Sequence, residues 1–84
     1  MDKSKTPSVY IILINWNAQT VTAECLRSIR DLTYPNYQVI LVDNNSSDDS
    51  GQKLSEQFPE IILMQMESNL GFTGGNNAGM RRAF

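Results

Sequence analysis

Three short polar stretches hold the side chains best able to do chemistry. Asn15, Trp16 and Asn17 place an aromatic plane between two amides. An indole can stack on a flat ring such as a nucleobase, and flanking amide or backbone groups can read that ring's edge. The same tryptophan can equally close over an apolar core. Asp43, Asn44 and Asn45 follow an apolar run, where a carboxylate or amide oxygen can accept hydrogen bonds from a base N–H or a ribose hydroxyl. Ser46 to Ser50 carry turn and helix-capping chemistry. In NLGFTGGNNAG, the glycines at 71, 74, 75 and 79 free the backbone to aim several N–H groups at one point. A helix starting at Asn76 and Asn77 adds its partial positive charge, so a diphosphate can be held there without a lysine. Read alone, the stretch is also a plain glycine loop capped by Asn76 or Asn77.

Competing chemistries fail on spacing or composition. Asn45, Ser47, Asp49 and Glu56 fall at the first, third, fifth and twelfth places of a calcium loop, but Gly51 lies one place late for its sharp turn and the leading aspartate is missing. NNS and NSS match the glycosylation acceptor pattern, which means little where no basic-then-apolar leader is seen. The glycine run is not the dinucleotide fingerprint, which follows a first strand with a different glycine spacing. With no histidine in the chain, the single Cys25 has no usual base to activate it and is expected to pack a helix face. A reducing, cytoplasmic setting fits a lone thiol. Seven basic and nine acidic residues give a net charge of −2 with no block of either sign, which argues against a nucleic-acid partner. The apolar runs VYIILI and IILM fall far short of the roughly 20 residues that cross a bilayer.

The elements that must position these groups alternate. Residues 1–7 read as a flexible tail that ends at Pro7, and the ordered part begins at Ser8. SVYIILI, QVILV and residues 61–66 read as strands buried on both faces. Between the first two, Val21, Cys25, Leu26, Ile29 and Leu32 recur at helical spacing, which predicts an amphipathic helix of about four turns with this stripe in the core. A shorter helix with Leu54 and Phe58 inward, capped from the DNNSSDDS cluster and stopped by Pro59, fills the second gap. The order βαβαβ predicts a mostly parallel sheet with right-handed crossovers and all three polar segments on one rim, beyond the carboxyl ends of the strands.

Taken together, NWN, then LVDNNSSDDS, then NLGFTGGNNAGMRRA resembles the start of family 2 glycosyltransferases, inverting enzymes of the GT-A fold. The likeness runs over about residues 8–84, and TYPNYQVILVDNNSSD carries it most strongly. The NWN and GF-x-GGNN-x-G variant looks most like rhamnosyltransferase-type members. The resemblance implies a three-layer nucleotide-binding half of a GT-A fold, with Asn15, Trp16 and Asn17 around the base and Asp43 and Asn44 reading base and ribose. Gly74, Gly75, Asn76 and Asn77 then lie before the diphosphate, where many members carry arginine followed by asparagine. It implies a nucleotide-diphosphate sugar donor and a saccharide or lipid-linked acceptor, on the cytoplasmic side and at the inner membrane face through that acceptor. It also implies a sheet order of 3-2-1-4. The fourth strand, the Asp-x-Asp motif for a divalent Mg or Mn and the catalytic base are expected only in a longer parent. The 84 residues are thus expected to be inactive alone, with no metal of their own, and to self-associate through strand one. Two rivals are a non-catalytic βαβαβ module that binds a nucleotide or a partner, and a receiver-like domain with Asp43 as phosphoacceptor. The second lacks the further acids and lysine such domains gather.

Overall fold

The computed structural model describes residues 8–84; the tail expected at residues 1–7 lies outside them. The order is β1 (Val9–Asn15), α1 (Gln19–Arg30), β2 (Tyr37–Asp43), α2 (Ser50–Gln57), β3 (Ile62–Gln65) and α3 (Gly71–Ala83). The strands form one parallel sheet in the order β1-β2-β3, with Ile12 beside Ile40 and Ile40 beside Ile62. This matches the expected α/β architecture and puts β2 in the middle of the described strands.

β2 is buried from Val39 through Asp43, as a central strand with layers on both faces must be. Alternation sends Val39 and Leu41 to one face, where they meet Ala23 and Leu26 of α1 and Leu54 of α2, with Phe58 and Ile61 closing the cluster. Fully burying side chains such as Leu41 and Leu54 contributes about 1.5–3 kcal/mol each. Arg30 closes this layer from outside: it pairs with Glu60 at 2.6 Å and lies 4.4 Å from the centre of the Phe58 ring. Ile12, Ile14 and Val42 point to the other face, under α3.

Two expectations about helices are corrected. Of the expected apolar stripe, Leu26 is buried and Ile29 partly so, but Val21 and Cys25 are exposed, and Leu32, also exposed, lies beyond the end of α1. The inward face instead uses Thr22 and Ala23 together with Leu26, so it is turned about the helix axis away from Val21 and Cys25. The glycine run is not a loop before a helix at Asn76: α3 already begins at Gly71, so Gly74, Gly75, Asn76 and Asn77 are helical and their peptide groups do not form an anion cradle. Tertiary packing overrides the poor helix propensity of glycine here. A Cβ on Gly79 would sit 2.5 Å from Ile12 Cγ2, and one on Gly75 would sit 2.9 Å from Ile14 Cδ1. Only glycines let α3 lie this close to the sheet.

Candidate functional site

The three polar segments meet at the carboxyl end of the sheet, and hydrogen bonds hold them there. Asn15, at the end of β1, is fully buried. Its amide nitrogen donates to Asp43 Oδ1 at 2.8 Å, Ser50 Oγ at 2.6 Å and Ser46 Oγ at 3.2 Å, and its oxygen accepts from the Thr22 hydroxyl at 2.8 Å. Asp43, at the end of β2, is as deeply buried. Its Oδ1 accepts from Asn15 and from Ser46 Oγ, and its Oδ2 accepts from the Ser46 N–H at 2.9 Å and Gln65 Nε2 at 2.8 Å. Burial opposes ionisation of this carboxyl, but the hydrogen bonds from Asn15, Ser46 and Gln65 outweigh it and hold it below the usual carboxylate range. Both residues therefore spend their polar atoms on the protein, joining β1, β2, β3, α1 and α2 at one point.

Asn44 makes the corresponding link to α3. Its Nδ2 donates to the Gly71 carbonyl at 3.0 Å and its Oδ1 accepts from the Leu70 N–H at 3.3 Å. Gly71, at φ +73°, makes the turn that brings the chain into the helix, and Asn69 Oδ1 accepts its N–H at 2.7 Å. Asn17 is also left-handed, at φ 49°, a conformation asparagine tolerates. It pins the neighbouring loop: its N–H donates to Ser46 Oγ at 3.0 Å and its side-chain oxygen accepts the Ser47 N–H at 2.8 Å.

What these links leave open is a cleft of about 490 Å³ between the end of β1 and the start of α3. Trp16 and Phe72 line it with aromatic surface, Ile12 and Ile14 form its floor, and Asn44 and Asn76 supply amides. Trp16 is 54% exposed and Phe72 74%, so the tryptophan does not cap the core. Of the residues singled out in the sequence, Trp16, Asn44, Gly71 and Asn76 reach this cleft. Asn15, Asn17 and Asp43 lie behind it as its framework, and Gly75 packs α3 onto β1. Asn77 is exposed and Gly74 packs on Leu70; neither lines the cleft. Sequence reasoning missed Phe72 and the framework partners Thr22, Ser46, Ser50 and Gln65. Phe72 had a signal, a large aromatic beside a left-handed glycine. Thr22 and Gln65 had none, because only the sheet brings them to Asn15 and Asp43.

A parallel sheet between two helical layers, with an aromatic and amide cleft beyond its carboxyl rim, is part of a GT-A fold. Over 99% of its length this chain superposes on a mannosyltransferase from Pyrobaculum calidifontis, solved in complex with GDP-Man and Mn2+, with a TM-score of 0.77 at 24% identity. Residues 10–84 match the family described as Glycosyl transferase family 2, and the chain belongs to that family. It is 29% identical over 75 residues to the glycosyltransferase GlyA of Streptococcus pneumoniae, covering 86% of this chain and 11% of that protein. It is 29% identical over 77 residues to an uncharacterised glycosyltransferase of Haemophilus influenzae, covering 88% of this chain and 24% of that protein. The chain spans a quarter or less of these relatives and 26% of the mannosyltransferase.

Proposed function

We infer that these residues are the nucleotide-binding part of a glycosyltransferase that moves a sugar from a nucleotide-diphosphate donor to an acceptor hydroxyl. The observation that carries this reading is the cleft at the carboxyl rim, where Trp16 and Phe72 offer stacking faces and Asn76 offers an amide that makes no side-chain hydrogen bond among the described residues. A base stacked on Trp16 would share the cleft with that amide, which can donate and accept at once. Asn15, Asp43, Asn44 and Asn17 act as positioning residues: they fix the strand ends and the start of α3 so that the cleft exists before the ligand arrives.

A divalent metal, Mg or Mn, belongs to this proposal only for the whole enzyme. The described residues gather no group of three or more histidine, cysteine or acidic side chains, the cleft is lined by no carboxylate, and the oxygens of Asp43 are all engaged. These residues do not fit a metal, so their own contribution is to bind and orient the nucleoside end of the donor, without turnover. A rhamnosyl or other hexosyl donor, a saccharide or lipid-linked acceptor, and a cytoplasmic site at the inner membrane face complete the proposal. No helix among the described residues is long and apolar enough to cross a membrane.

Trp16 is the only tryptophan, so its fluorescence reports on the cleft directly. UDP or GDP should quench it in a saturable titration, and inorganic diphosphate at the same concentration should not. Unchanged emission up to about 10 mM of either nucleotide, a range that detects even very weak complexes, would remove the base from the cleft.

A further inference from the structure

Trp16 owes its place to its neighbours. Its ring is 54% exposed, so packing holds only part of it and the turn that carries it must do the rest. On either side of it, Asn15 Nδ2 and the Asn17 N–H donate to one atom, Ser46 Oγ, at 3.2 Å and 3.0 Å. A hydroxyl accepts twice and donates once. Both acceptor sites of Ser46 Oγ are thus taken by the two residues that flank the tryptophan, and its proton goes to Asp43 Oδ1 at 2.7 Å.

Ser46 is itself held from the sheet. Its N–H donates to Asp43 Oδ2 at 2.9 Å, so the two oxygens of one buried carboxylate grip it by backbone and side chain. A further bond braces the turn from outside, where Asn17 Oδ1 accepts the Ser47 N–H at 2.8 Å. Asn17 presents its N–H and its side-chain oxygen to the same loop from a left-handed backbone, at φ 49°. Hydrogen bonds to a charged acceptor are about twice as strong as neutral ones. The link from Ser46 to Asp43 is therefore the firm one, and the link from Asn17 to Ser46 gives first.

We propose that Ser46 is a positioning residue for the nucleotide site: its hydroxyl carries the fixed position of Asp43 to both ends of the turn at residues 15–17 and so sets the face that Trp16 presents to a base. This inference rests on reading the cleft as the nucleotide site. Ser50 is the natural contrast. It accepts from the same Asn15 amide at 2.6 Å and is fully buried, but its hydroxyl makes no bond to Asn17. Losing the Ser50 hydroxyl costs stability and leaves the far end of the turn held; losing that of Ser46 frees it. One lost neutral hydrogen bond weakens what depends on it by about two- to tenfold.

The test compares Ser46→Ala, Ser46→Thr and Ser50→Ala in the 84-residue chain, each checked for folding by circular dichroism. Two quantities are read: the fluorescence anisotropy of Trp16 without ligand, and the dissociation constant for UDP or GDP. Ser46→Ala should lower the anisotropy and raise the dissociation constant about two- to tenfold. Ser46→Thr, which keeps the hydroxyl, should restore both, and Ser50→Ala should leave both close to native while it lowers stability. Native anisotropy in Ser46→Ala overturns the proposal, as does an affinity loss that Ser50→Ala shares or that Ser46→Thr fails to reverse. Amide exchange in the native chain needs no variant: the N–H of the exposed Asn17 should exchange more slowly than in an unstructured peptide, and exchange at the unstructured rate overturns the proposal. Should the native chain bind neither nucleotide, the reading of the cleft fails, and anisotropy and exchange still decide whether Ser46 holds Trp16.

Discussion

Replacing Asn15 by aspartate should invert the pH dependence of this protein's stability. In the native chain the Asn15 amide donates to Asp43, Ser46 and Ser50. Asn15→Asp keeps the shape, removes those donors and sets a second carboxylate about where a 2.8 Å hydrogen bond to Asp43 had been. Hydrogen bonds to a charged group contribute about 1.5–3 kcal/mol, and removing the partner of a buried charge costs about 3–5 kcal/mol. A chain of 84 residues has a total stability of roughly 4–12 kcal/mol, so a loss of about 3–5 kcal/mol at pH 7 brings the variant near its unfolding threshold. The signs follow from linkage. The folded-state pKa of Asp43 is depressed, so its contribution in the native chain is present above the unfolded carboxylate value of about 3.9 and is lost as pH falls through the folded value. In Asn15→Asp the two carboxyls share a proton and one folded-state pKa is raised. Its stabilisation is complete below about 3.9 and is lost as pH rises through the raised value. Urea unfolding followed by circular dichroism at about pH 4.5 and pH 7 therefore should show the native chain at least as stable at the higher pH and the variant more stable at the lower. A variant within about 1 kcal/mol of the native chain at pH 7, or one with the same pH trend, would refute the closed framework around Asp43.

Other consequences are as direct. Gly79→Val forces a Cβ to 2.5 Å from Ile12 Cγ2, and thermal unfolding should show a loss of about 1–3 kcal/mol, the usual cost of overpacking. Trp16→Ala removes an exposed ring, so stability should change by less than about 0.5 kcal/mol, while UDP or GDP affinity measured by calorimetry falls by about 1–3 kcal/mol. Magnesium or manganese should alter nucleotide affinity for this chain by less than about tenfold, because no lining residue of the cleft is a carboxylate.

The strands and their parallel order were legible because Val, Ile and Leu runs bounded by turn formers leave few alternatives, and Leu54, Phe58 and Pro59 marked α2 equally well. The glycine run was not. Its composition argues for a loop, and only the contact of Gly75 and Gly79 with Ile14 and Ile12 across the chain makes it a helix. The stripe on α1 misled for a related reason: Val21 and Cys25 are apolar at helical spacing, but they stay exposed beside a hollow they share with Leu13 and Ile14. Asn15 and Asp43 were singled out separately, each as a polar residue at the end of a strand, and not as partners of one another. Their burial and mutual hydrogen bond depend on the β1–β2 register, which composition does not contain. Phe72 shows the opposite limit, an aromatic with no periodic partner whose place in the cleft follows from the turn at Gly71.

The most direct test of the central claim is chemical-shift mapping by NMR while UDP or GDP is added to the chain. The largest changes should fall on the Trp16 indole N–H, the Asn76 side-chain amide and the backbone of Gly71 and Phe72, the groups that line the cleft. The exposed Asn77 and the far end of the sheet around Val9 and Arg82 should stay still. Changes confined to that far end, or none at saturating nucleotide, would contradict the assignment of the cleft as the nucleotide site.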